Sequence, residues 1–140
     1  MDRRSLLTLL GAAGTLPGQT LPNVGVTADS TSPRSESGVG ALMPWADALW
    51  AVNYNSHKAR TGTNLWLYRI DENLKLTRVE RHDGTHANRL IHKESNQCFI
   101  GPYAISATGR VRPIADLFDH RLTSTFRHLT DPANLVYMLT

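Results

Sequence analysis

Apolar and aromatic residues come in short runs along this chain, and polar clusters separate the runs. Ala48–Tyr54 and Leu65–Ile70 are rich in aromatic, aliphatic and β-branched residues. Asp71-Glu72-Asn73 reads as a turn, and Leu74–Val79 then alternates apolar and polar residues strictly. Asn88–His92 and Cys98–Ile100 form a further pair of runs. Tyr103–Ile105 and Val111–Ala115 flank the turn Ser106-Ala107-Thr108-Gly109, and Phe126–Leu129 and Leu135–Leu139 follow. Runs this short, bounded by Gly, Asn, Asp and Pro, predict antiparallel strands. No segment sustains a 3.6-residue apolar period, and Ala115–Arg121 has room for one helical turn at most.

Laid under one another, the runs repeat. Leu90–Ile100 aligns with Phe126–Tyr137, with His128 placed 36 residues after His92 and Asn134 placed 38 after Asn96. A weaker copy runs through Trp45–Trp50, with Trp50 placed 49 residues before Phe99. Each copy reads as a strand, a polar turn and a second apolar strand. The first two copies continue into a third strand, a tight turn and a fourth. Four-stranded units recurring every ~40–50 residues are the signature of β-propeller blades. The expected fold is therefore all-β: an incomplete β-propeller of about two four-stranded antiparallel blades plus a terminal hairpin.

The first 40 residues stand outside this pattern. Met1-Asp2-Arg3-Arg4 precedes the weakly apolar stretch Leu6–Leu16, which is too short for the ~20 residues that span a bilayer. Residues 1–28 resemble a twin-arginine export signal, with Asp2 departing from the usual pattern and the best cleavage point after Ala28. Residues 29–40 read as a disordered Ser/Pro linker. The fold is then expected in residues 41–140. The protein would be exported, to the periplasm or beyond, with no stable membrane association once the signal is removed.

Composition narrows the chemistry. At 41% hydrophobic and 19% charged residues, the 140-residue chain suits a globular protein. Its single cysteine, Cys98, rules out an intrachain disulfide, and a small apolar core residue is the simplest role for it. The six histidines lack the thiolates of a structural zinc motif, so no metal ligand is assigned. Cofactors are unspecified. The +3 net charge belongs to residues 41–140, but its cations are interspersed with acids and form no basic run, which argues against nucleic acid.

The blade pattern sorts the loops onto two ends. Tight turns at Lys93–Gln97, Thr130–Asn134, Asp71–Asn73 and Ser106–Gly109 share one end. The opposite end receives Tyr54, His57, Lys58, Arg60, His82, His86, Asn88, Arg89, His120 and Arg121. Cations with histidine and tyrosine suit a carboxylate-bearing ligand such as an acidic saccharide. His57 is the candidate catalytic residue; Tyr54, Lys58, Arg60, His86, Asn88, Arg89 and Arg121 are the candidate substrate-binding residues. For β-elimination from a uronate, a base removes the proton α to the carboxylate, a cation stabilises the enediolate and an acid protonates the leaving oxygen. The paired carboxylates of common glycosidases are not evident at this end. His57 lies in a long polar loop, where a solvated histidine is the commoner outcome. His92 and His128, repeated at equivalent positions, read as structural ties from strand to turn, and Trp45, Trp50 and Trp66 as core.

Met43–Trp50, Gly84–Gln97, Arg121–Thr123 and Arg127–Pro132 resemble the opening blades of secreted bacterial seven-bladed propeller proteins. Some of those resemble enzymes acting on rhamnose–glucuronate linkages. The resemblance covers residues 43–140 and implies a polysaccharide lyase or glycoside hydrolase with a catalytic histidine on an early blade, which His57 would match. Two other readings stand beside it: a non-catalytic binding propeller, and a truncated product without independent function. A hundred residues hold about two blades and a hairpin, so this chain is expected to be the first third of a larger ring.

Overall fold

The computed structural model describes residues 37–55 and 65–140. Four strands, β1 (Ser37–Trp45), β2 (Ala48–Asn55), β3 (Leu65–Ile70) and β4 (Leu76–His82), form one antiparallel sheet in chain order. A two-residue strand, β5 (Thr85–His86), leads into a second sheet of the same design: β6 (Arg89–His92), β7 (Gln97–Ile100), β8 (Tyr103–Ser106) and β9 (Val111–Pro113). A 3₁₀ turn at Ala115–Leu117 and a second two-residue strand, β10 (Arg121–Leu122), lead to the hairpin of β11 (Ser124–Arg127) and β12 (Val136–Leu139). The fold is all-β, with two four-stranded antiparallel sheets. Among the described residues no helix is long and apolar enough to cross a membrane.

Two boundaries differ from the sequence expectation. β1 begins at Ser37, so residues 37–40 are strand and not the end of a linker. Glycine is weak in strands, which hides this segment from composition. Here the ladder Ser37↔Asn55, Gly38↔Tyr54 and Val39↔Asn53 holds it. A Cβ on Gly40 would stand 1.9 Å from the His86 carbonyl oxygen, so only glycine lets β1 approach the next unit this closely. Leu74, expected in a strand, lies in the turn at φ +61°. Asp71 Oδ1 accepts the backbone N–H groups of Asn73 at 3.0 Å and Lys75 at 2.9 Å, which closes that turn before β4 starts.

The repeat is visible in the strand registers. Met43 faces Trp50, Leu90 faces Phe99, and Phe126 faces Tyr137. Trp50, Phe99 and Tyr137 are equivalent in the sequence alignment, and so are Leu90 and Phe126. The offset grows from 36 to 38 within the last copy because its turn is two residues longer.

Apolar side chains fill the space between the sheets. Trp50, Val52 and Leu67 from the first meet Cys98, Ile100, Tyr103 and Ile105 from the second, all buried. Full burial of one such aliphatic or aromatic side chain is worth roughly 1.5–3 kcal/mol. Three consecutive residues are buried in β7 and again in β8, so these strands are covered on both faces. Burial in this cluster also pushes the Cys98 thiol up to about 12, so it is a neutral core residue at physiological pH.

Ring N–H groups bond across units. Trp45 Nε1 donates to the carbonyls of Ile105 at 3.1 Å and Ser106 at 2.9 Å. At the equivalent strand end, His92 Nδ1 accepts the Ser95 backbone N–H at 3.3 Å. That contact places the proton on Nε2, which donates to the Pro132 carbonyl of the next hairpin at 2.6 Å. His128 Nδ1 repeats the inner half of the motif, accepting the Asp131 N–H at 3.0 Å. His92 thus ties its own turn and the following unit together. His92→Ala is expected to lower unfolding stability by roughly 2 kcal/mol, and His128→Ala by about 1 kcal/mol. Urea unfolding followed by circular dichroism checks the ranking; equal effects would contradict the cross-unit role.

Candidate functional site

Tight turns and strand-entry loops lie at opposite ends of the stack. At the turn end, Trp45 bonds Ile105 and Ser106, and a Cβ on Gly109 would lie 3.8 Å from Ala46. At the other end, β5 and β10, each the entry to a new unit, run side by side in parallel with Thr85↔Arg121 and His86↔Leu122. The Ala87 N–H donates to the Leu122 carbonyl at 2.8 Å and extends this pairing. Gly40, at the corresponding point of the first unit, lies against the His86 carbonyl. Three equivalent entry segments are therefore stacked beside one another.

A cleft of about 270 Å³ opens between two of them. Ala87, Asn88 and Arg89 form one wall, and Thr123, Ser124, Thr125 and Phe126 form the other. The walls are the same segment in successive units, 36 residues apart. The second wall is absent from the sequence-based site, although the repeat offset carried from Asn88 and Arg89 leads to it.

The expected site residues fall into three groups. Arg89 and Arg121 are exposed at this end. Tyr54 is half-buried near the end of β2, opposite Gly38 and beside Gly40. Asn88 and His86 are buried, which differs from the open placement expected of them. The Asn88 amide donates to the Gly101 carbonyl at 3.0 Å and to Thr125 Oγ1 at 2.9 Å, so it fastens the cleft walls together. His57, Lys58 and Arg60 lie outside the described residues, as does the export signal.

Beneath the entry segments sits a buried aromatic and imidazole cluster. The His82 and His86 ring centroids are 4.5 Å apart, and the Tyr103 ring is 5.9 Å from His82 and 5.8 Å from Phe118. Gly84 makes the crowding possible, since a Cβ there would come within 2.6 Å of His86 Cε1. Neither ring nitrogen of either histidine completes a hydrogen bond of normal geometry, nor does the Tyr103 hydroxyl. Desolvation by burial lowers His82 to about 4, opposed by nearby backbone groups of Trp66 and Gly84. Desolvation, with repulsion from His82, lowers His86 to about 3, opposed by the backbone at Phe118. Burial likewise raises Tyr103 above the usual phenol range. Both imidazoles are thus neutral near pH 7 and closed off from solvent, so they shape the floor of this end and do not offer a solvent-facing base. Among the described residues no group of three His, Cys, Asp or Glu is placed to hold a metal ion.

Comparison with family models, with curated proteins and with solved structures returned no match. The functional reading therefore rests on this arrangement of residues.

The imidazole pair sets the acid response. Unfolded, both histidines take up protons as pH falls below 6.5; folded, they do so only near about 4 and about 3. Their neutral burial is fully compatible with folding above pH 6.5. Stability is lost as pH falls from there toward 4, by about 1.4 kcal/mol per histidine per pH unit. His86→Leu is expected to cut the pH dependence of the thermal midpoint between pH 6.5 and 4.5 by about half. A thermal-melt series that kept its wild-type slope would contradict the assignment.

Proposed function

We propose that the chain supplies successive blades of an exported β-propeller whose strand-entry end binds an acidic, uronate-containing saccharide. The observation that carries this reading is the cleft built from equivalent segments of two stacked units, with the exposed cation Arg89 on its wall and Arg121 two residues before the other wall. The parallel pairing of β5 with β10, and the approach of Gly40 to His86, support a propeller. Blade entries that surround a common axis run alongside one another in this way. Loops carried by such a rigid frame are common binding positions.

The chemistry at the cleft favours binding. Arginine presents a planar fork of donors that matches a carboxylate, and Asn88 and Thr125 hold the walls at fixed separation. Among the described lining residues none is a base that titrates near neutrality. A lyase or glycoside hydrolase reading therefore needs a group from elsewhere, and His57 is the residue for it. With His57 as base, Arg89 or Arg121 would stabilise the enediolate formed next to the carboxylate.

Uronate oligosaccharides are expected to raise the thermal midpoint of the full chain, and neutral oligosaccharides of equal length are not. Arg89→Ala should weaken this binding about tenfold, the usual scale for losing one charge-assisted contact. Product analysis by mass spectrometry separates the two activities: unsaturated uronate ends that vanish in His57→Ala identify a lyase, and intact ligand identifies a binding module. No midpoint shift with any uronate ligand would contradict the reading.

A further inference from the structure

The third unit has two strands where the others have four. The His128 N–H bonds the Leu135 carbonyl, and the Thr123 N–H bonds the Leu139 carbonyl. Leu135 and Leu139 therefore bond inward to β11. By the alternation of an antiparallel ladder, Val136 and Met138 direct their N–H and C=O groups to the outer edge of β12. Among the described residues no strand pairs with that edge. A broad apolar hollow of about 730 Å³ lies alongside, lined by Leu90, Phe126, Leu129, Tyr137 and Leu139 among others. Leu129 is 86% exposed and Leu139 52%.

The complete units define what belongs there. In the first, β2 pairs with β3 through Leu49↔Ile70 and Ala51↔Tyr68. In the second, β7 pairs with β8 through Cys98↔Ile105 and Ile100↔Tyr103. Leu49, Cys98 and Val136 are equivalent, and so are Ala51, Ile100 and Met138. Both complete units thus set a Tyr-x-Ile strand against this edge, with tyrosine at the second position and isoleucine at the first. Within the 140 residues Tyr-x-Ile occurs only at Tyr68–Ile70 and Tyr103–Ile105, and both are already paired between neighbouring strands. In a second copy of the chain the same two strands are interior, so a second copy has no free one to donate.

We propose that the β12 edge is an interaction surface for an antiparallel Tyr-x-Ile strand of a further polypeptide segment, with its tyrosine opposite Met138 and its isoleucine opposite Val136. The strand adds by main-chain hydrogen bonds to Val136 and Met138, and its two side chains set the register. This proposal uses the repeat and the strand edge and is independent of saccharide binding.

The test uses the full chain, ¹⁵N-labelled, titrated with a synthetic peptide of residues 65–82, which contains Tyr68-Arg69-Ile70. Saturable binding is expected, with amide exchange at Val136 and Met138 slowed at least tenfold. Met138→Pro should abolish it while leaving the hairpin folded, because the lost N–H points outward. A peptide carrying Tyr68→Asp and Ile70→Asp should bind at least tenfold more weakly. Unchanged exchange at Val136 and Met138 at millimolar peptide would overturn the proposal, as would equal binding by the substituted peptide. Slow exchange at both amides without peptide, in a chain that is dimeric by light scattering, would assign the edge to a second copy and overturn it too.

Discussion

A four-stranded sheet with apolar residues on both faces has to be covered twice. This chain answers that constraint by stacking copies of one unit, and the position of every other feature follows. The Met43–Trp50 pair packs toward the second sheet, and the equivalent Leu90–Phe99 pair is directed at the third unit. In the third unit the matching residues, Phe126 and Tyr137, are 52% and 40% exposed. The same geometric rule that builds the core also produces the exposed face. Apolar area alone would allow the sheets to slide over one another. The ring N–H of Trp45 is shared by the Ile105 and Ser106 carbonyls of the next unit, and that of His92 meets the Pro132 carbonyl, which fixes the stacking to a single register.

Stacking in register also makes the strand-entry end. Because each unit enters at the same point, the entry segments line up, and their backbones pair in parallel at Thr85↔Arg121 and His86↔Leu122. A cleft then opens between equivalent stretches of successive units. At the same end two imidazoles are kept neutral by burial, at the expense of acid stability. Arg89 stands exposed on the cleft wall, and Arg121 stands exposed two residues before the other wall. An ion pair between Arg127 and Glu94 adds a second, solvent-exposed link between the third unit and the turn of the second. Glu94 is held below the usual carboxylate range by its own backbone N–H first and by Arg127 as well.

Much of this was legible in residue patterns, and the failures have physical causes. Strand identity follows from the short apolar runs, and the repeat alignment sets Leu90 with Phe126 and Phe99 with Tyr137, which occupy equivalent register positions. His92 and His128 are recognisable as structural because they recur with the turn they cap. The start of β1 is hidden, since Gly38 and Gly40 carry no side chain to display an alternation. The burial of His86 and Asn88 is hidden for the opposite reason: polar side chains in a loop-like segment look solvated. His86 is enclosed where Gly84 and Gly40 lack a Cβ, and Asn88 by its bonds to Gly101 and Thr125. The cleft lies between units, so its second wall emerges only when the repeat offset is applied to the first.

The central claim is that consecutive units are locked by a ring N–H donated to a backbone carbonyl. The most direct measurement is the imidazole ¹⁵N spectrum of His92 in the full chain at neutral pH. The structure requires the Nε2–H tautomer, with Nδ1 as acceptor from Ser95 and a slowly exchanging Nε2 proton bonded to the Pro132 carbonyl. An Nδ1–H tautomer, or an Nε2 proton lost to rapid solvent exchange, would contradict the account.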